Sequence, residues 1–110
     1  MKVTNLWFND VLNAEDWSPT DPNDFEESIG LTVGDENGGT DFQVQVCTPV
    51  SIKRLEKKRY IFMIEKWRGL PDLIRRFDAF IREIETDPTI DLYNELSKHW
   101  LWEYEGMSGR

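Results

Sequence analysis

Between Val3 and Ile52 the chain contains no lysine and no arginine. That gap excludes a nucleic-acid-binding surface built from this half, because phosphate affinity needs clustered cations. There is one cysteine, Cys47, so no internal disulfide can form, and a reducing, cytoplasmic setting fits best. There is one histidine, His99, and no CxxC, HxxxH or EF-hand pattern, so no metal or other cofactor is expected. No apolar run approaches the roughly 18 residues that a membrane span needs. The opening MKVTNLWFND has neither a long apolar stretch nor a small-residue cleavage site, so no secretory signal is predicted. Nor does a glycine-rich loop join a strand to a helix, as a phosphate-binding turn requires.

What is present is acid and aromatic. The cation-free stretch holds Asp10, Glu15, Asp16, Asp21, Asp24, Glu26, Glu27, Asp35, Glu36 and Asp41. From Lys53 onward the charges nearly balance, so most of the net charge of −8 lies in the first half. Such a front can steer a basic partner, or it can simply keep the surface solvated. The 110 residues suffice for one domain over 1–110 with one modest core. Five tryptophans, six phenylalanines and three tyrosines are a rich supply for that length.

The patterning predicts an α+β domain of order β-β-β-α-β-α-α-β, a mainly antiparallel sheet with helices packed on one face. KVTNLWF (2–8) reads as a first strand and is followed by an acidic, proline-marked loop at about 13–24 that contains Trp17. Ile29, Leu31 and Val33 alternate on a second strand, GDENGG (34–39) is a turn, and Phe42, Val44 and Val46 alternate on a third. Thr48-Pro49 should cap a short helix over about 49–58, the Thr48 hydroxyl taking an orphan helix N–H, and the basic run KRLEKKR should close it. YIFMI, apolar on both faces, predicts a central strand reaching Trp67. Leu70, Leu73, Ile74, Phe77, Ile81 and Ile84 mark one face of a helix over 70–85, with Asp72–Arg76 and Asp78–Arg82 as i,i+4 pairs opposite. Asp87-Pro88 should cap a last helix to about Lys98 with Leu92, Tyr93 and Leu96 as its stripe. WLWEY (100–104) should be a terminal strand with Trp100, Trp102 and Tyr104 on one face, before a tail frayed from about 106.

Candidate chemistry is sparse. A Cys47–His99 dyad would need both groups in hydrogen-bond reach and a third group to orient the base. The bland alternative is a small buried cysteine beside a histidine at a helix C-terminus. DENGGTD superficially resembles a calcium loop but lacks its ligand spacing and closing Glu, so a hairpin turn is expected. Adjacent acids such as Glu26–Glu27 and Asp35–Glu36 would point to opposite faces of a strand. Trp17, an aromatic among charges, fits either a binding anchor or a tether of its loop to the body; Trp67, Trp100 and Trp102 are expected in the core.

The strand-to-helix junction DFQVQVCTPVSI resembles the immunity protein 8 family of bacterial polymorphic toxin systems, with VCTP its most specific part. The likeness extends from about Lys2 to Glu105 through the acidic loop, YIFMIEKW leading into the long helix, and the closing SKHWLWEYEG. It departs at Val50-Ser51, where a larger, often aromatic residue is expected. The resemblance implies a cytoplasmic antidote that binds the C-terminal domain of a cognate toxin stoichiometrically, with no catalysis and no cofactor. Residues expected to contact the toxin are Trp17, Asp21, Asp24, Glu26, Glu27, Asp35, Glu36 and Asp41. No direct nucleic-acid or membrane partner is expected, and monomer and homodimer both remain open. The rival readings are a homo-oligomeric interaction module using the YIFMI or WLWEY strand, and a small enzyme using Cys47 or a carboxylate pair.

Overall fold

The computed structural model describes residues 1–9, 11–55 and 59–102. Asp10, the middle of KRLEKKR (56–58), Tyr104 and the tail expected to fray from about 106 lie outside the described residues. The elements are β1 (Lys2–Phe8), β2 (Glu26–Asp35), β3 (Gly38–Cys47), α1 (Pro49–Ile52), β4 (Ile61–Met63), α2 (Leu70–Glu85), α3 (Leu92–Leu96) and β5 (Leu101–Trp102). A single 3₁₀ turn, Ala14–Asp16, punctuates the acidic loop. The order and the α+β class are those the patterning predicts.

β1, β2 and β3 form an antiparallel meander. Beyond β3 the sheet forks. β4 runs parallel beside Gln45–Cys47, and β5 runs antiparallel beside Phe42-Gln43. Strict alternation sets the faces. Ile29, Leu31 and Val33 on β2, and Phe42, Val44 and Val46 on β3, are buried with Leu73, Phe77 and Ile81 of α2, Leu96 of α3, and Trp100. The helices therefore cover one face of the sheet, and the residues between these positions look outward. Trp100 is fully buried, whereas Trp67 and Trp102 are half-buried at the margins of the core.

Four local expectations are corrected. YIFMI is not a central strand running to Trp67: β4 is three residues long, parallel, and lies at the sheet margin. Phe62 turns inward against Phe77 at 4.5 Å, and Ile64 is buried just beyond the strand. Met63, about half exposed, points the other way, so apolar character on both faces did not mean burial on both.

The second correction concerns α1, whose described helical residues end at Ile52 rather than near 58. The N–H groups of Arg54 and Leu55 bond back three residues, to Ser51 and Ile52, which tightens and closes the helix. Thr48 caps the helix in a reciprocal capping box with Ser51, as expected, and its hydroxyl has a second role. The Thr48 hydroxyl accepts the Phe25 N–H (3.1 Å) and donates to the Phe25 carbonyl, which clasps the start of β2. Ser51 Oγ accepts the Thr48 N–H at 3.1 Å. Ser51 is fully buried and Val50 half exposed, so the departure from the expected aromatic falls where a small hydroxyl closes the cap.

Third, α3 is capped by Asp91, whose carboxylate accepts the Tyr93 N–H at 3.1 Å. Asp87 instead closes its own turn on the Thr89 N–H and hydroxyl. Fourth, Asp78 reaches across to β1 and accepts the Val3 N–H at 2.8 Å, tying helix to sheet edge rather than pairing along the helix with Arg82. The other expected pair is present: Asp72 accepts from Arg76 at 2.8 Å and also pairs with Arg75. The hydrogen bond from Arg76 holds the Asp72 carboxyl below its ordinary range.

Candidate functional site

The residues that first invite a catalytic reading have structural partners. Cys47 is fully buried where β3 ends, and its Sγ donates to the Gln45 carbonyl at 3.7 Å. Burial, with Glu26 across the ladder, pushes the thiol up to about 11, far from the activated range of nucleophilic cysteines. His99 sits half exposed, its ring edge-on to Phe80 at 5.2 Å and its Nε2 3.4 Å from Glu95. In DENGGTD, the Asp35 carboxylate accepts the Asn37 N–H and Asp41 accepts the Thr32 hydroxyl at 2.6 Å. Asp35 pairs with Gly38 in a two-residue hairpin, as expected for a turn. Among the described residues no group of three or more His, Cys, Asp or Glu side chains is placed to hold a metal ion.

The eight residues singled out for binding fall into two groups. Glu26 opens β2 opposite Cys47, and Asp35 closes it opposite Gly38. At about 3.3 Å per residue these positions are roughly 30 Å apart. Asp21, Asp24, Glu26, Glu27 and Trp17 gather at the first end. Asp35 and Glu36 occupy the other, with Asp41 three pairs inward. Asp24 is ion-paired with Arg54, and Asp21 accepts the Asn23 N–H within its turn. Glu26 is exposed, whereas Glu27 is half-buried on the alternate face.

Trp17 tethers the acidic loop. Its ring stacks on Phe8 at 4.7 Å and 13°, with Trp67 edge-on at 4.8 Å and Phe25 at 5.6 Å. The Trp67 N–H donates to the Pro22 carbonyl at 2.7 Å, fixing the same loop a second time. Part of the ring stays accessible at the surface.

A feature that composition did not single out lies on the outer face of the sheet. The register aligns Trp7, Gly30, Gln43 and Leu101 in one row across four strands. Beside it run Ser28, Gln45 and Ile61 on one side, and Asn5, Thr32 and Asp41 on the other. A Cβ added to Gly30 would fall 2.1 Å from Trp7 Cε2, so the indole occupies the space over the glycine on the face away from the helices. The signal was in the sequence: a glycine inside an alternating strand marks close approach by something else. Tyr60, Ser28, Gln45 and Leu101 help to line a shallow depression of about 280 Å³ on this face. A separate groove of about 460 Å³ follows the edge of β1, between it and α2, with Leu6, Leu12, Leu70 and Ile74 on its walls.

Among the described residues no helix is long and apolar enough to cross a membrane. The arrangement thus offers a broad sheet face and two acidic ends. Compared with known proteins, residues 1–107 match the family model described as Immunity protein 8. No curated protein and no solved structure matches the chain.

Proposed function

The chain belongs to the immunity protein 8 family, and on that premise we propose that it neutralises a cognate bacterial toxin domain by stoichiometric protein–protein binding. The observation that carries the proposal is the family match over residues 1–107. The charge asymmetry narrows the partner. A stretch of 50 residues without a cation, inside a chain of net charge −8, favours a toxin with a basic surface, such as the cleft of a nuclease. The acids at the two ends of the β2–β3 hairpin would steer that surface in and rim the contact, with the exposed part of Trp17 available at the first end. Cys47 has no part in this reading beyond packing. The setting is the cytoplasm of a cell exposed to toxins of a polymorphic or contact-dependent delivery system.

The test starts from the neighbouring reading frame. The C-terminal domain of a secreted protein encoded beside this chain is expressed in bacteria with and without it. Growth arrest relieved by co-expression, together with a complex of fixed stoichiometry on size exclusion, is the expected result. Toxicity that persists in the presence of folded, abundant protein would sink the proposal.

A further inference from the structure

We infer that the outer face of the sheet, centred on Trp7 over Gly30, is the surface on which the basic toxin domain docks. This rests on the antitoxin reading and adds to it the face and its anchor.

Four observations converge. Apart from Lys2 at the start of β1, the three long strands of the face come from the cation-free stretch; among the described residues Arg59 lines the depression on this face and lies over the Tyr60 ring, 4.8 Å from its centroid. Of the acids on the face, Asp41 stands in the row directly beside the Trp7 row, and Glu26 stands two rows away on the other side. The middle is neutral and mixed: Trp7, Leu101 and Ile61 beside Ser28, Gln43 and Gln45. That is the composition of an interface core inside a charged rim. A tryptophan packed over a glycine is partly placed before a partner arrives, which makes it an efficient anchor.

The edge groove fits a partner less well. Added strands need free backbone donors on β1, but the Val3 N–H is held by Asp78 and the Leu6 N–H by Asn5 Oδ1. The opposite side of the sheet is already filled by α2 and α3.

Binding is measured by titration calorimetry with a catalytically inactivated form of the neighbouring toxin domain. Trp7→Ala is expected to weaken binding at least tenfold. Ser28→Arg places a like charge against a basic partner at an exposed position and should weaken it similarly, with the unfolding midpoint unchanged. Leu12→Ser in the edge groove and Glu83→Arg on the solvent side of α2 should bind as the parent does. Loss of affinity in Leu12→Ser with Ser28→Arg unaffected would move the site to the groove and overturn the inference, leaving the antitoxin reading intact. A parent homodimer that Ser28→Arg dissociates without changing toxin affinity would assign the face to a second copy, and likewise overturn it. No complex with the parent chain would remove the antitoxin reading and this inference together.

Discussion

Cys47 sits between Glu26 and Met63 at the open end of the β2–β3 hairpin, so a thiolate there would lose hydration and meet a carboxylate. The folded state therefore holds the proton more tightly than the unfolded chain, up to about 11 against an ordinary 9.0. The sign follows. Stability from this group is fully present below about pH 9 and falls as pH rises through about 11. Native protein at about pH 8 should react with an aromatic disulfide reagent only at the rate of opening, and urea midpoints should drop between about pH 8 and about pH 10.5. Cys47→Ala should remove the part of that drop which belongs to the thiol. Fast, stoichiometric labelling of the native protein would contradict this picture. The same scale shows where reading from sequence stopped. Cys47 as packing was legible because nothing near it in the chain could activate it. Trp7 was not, since its role depends on which strand lies beside β1, and only the register with Gly30 reveals it.

At the scale of elements, the Thr48 clasp joins three pieces of chain. Its hydroxyl pairs with both backbone groups of Phe25, its own N–H is held by Ser51, and its carbonyl receives the Ile52 N–H. Thr48→Val keeps the shape and removes the hydroxyl, leaving the buried Phe25 N–H without that acceptor. The expected cost is about 1–3 kcal/mol, read from urea denaturation. Thr48→Ser should recover most of it by restoring the oxygen. If valine and serine were equally stable, the junction would owe its stability to packing alone. The long periodic elements were legible for a plain reason. β2, β3 and α2 each repeat their apolar spacing often enough to fix type and face, but the two strands run on to Asp35 and from Gly38, into the segment expected to be the turn. β4 was misjudged because five apolar residues satisfy several arrangements, and the choice between core and outer face is made by Phe77, some fifteen residues further on. α1 was overextended for a related reason. Its basic run looks helical by composition, while the change to three-residue hydrogen bonds at Arg54 is a local backbone event that composition does not encode.

At the scale of the whole molecule, charge is the property that acts beyond contact distance. The two acidic groups are separated by roughly 30 Å along the hairpin, several times the Debye length of about 10 Å at 0.1 M salt. At that ionic strength they cannot act as one field. Each end should attract a basic partner independently, and the sheet face between them should be where both pulls converge. Association of the toxin domain, followed by stopped-flow tryptophan fluorescence, should slow steeply from about 0.02 M to about 0.5 M salt, with dissociation nearly constant. Reversing Asp35 and Glu36 to lysine should slow association, and reversing Asp21 and Glu26 should do the same. Near 0.15 M salt the two factors should multiply in the fourfold variant, because each end is screened from the other. A strong effect at one end only would place the partner over that end and tilt it off the centre of the sheet. An association rate flat in salt would instead make the net charge of −8 a device for solubility, with recognition carried by the uncharged rows around Trp7.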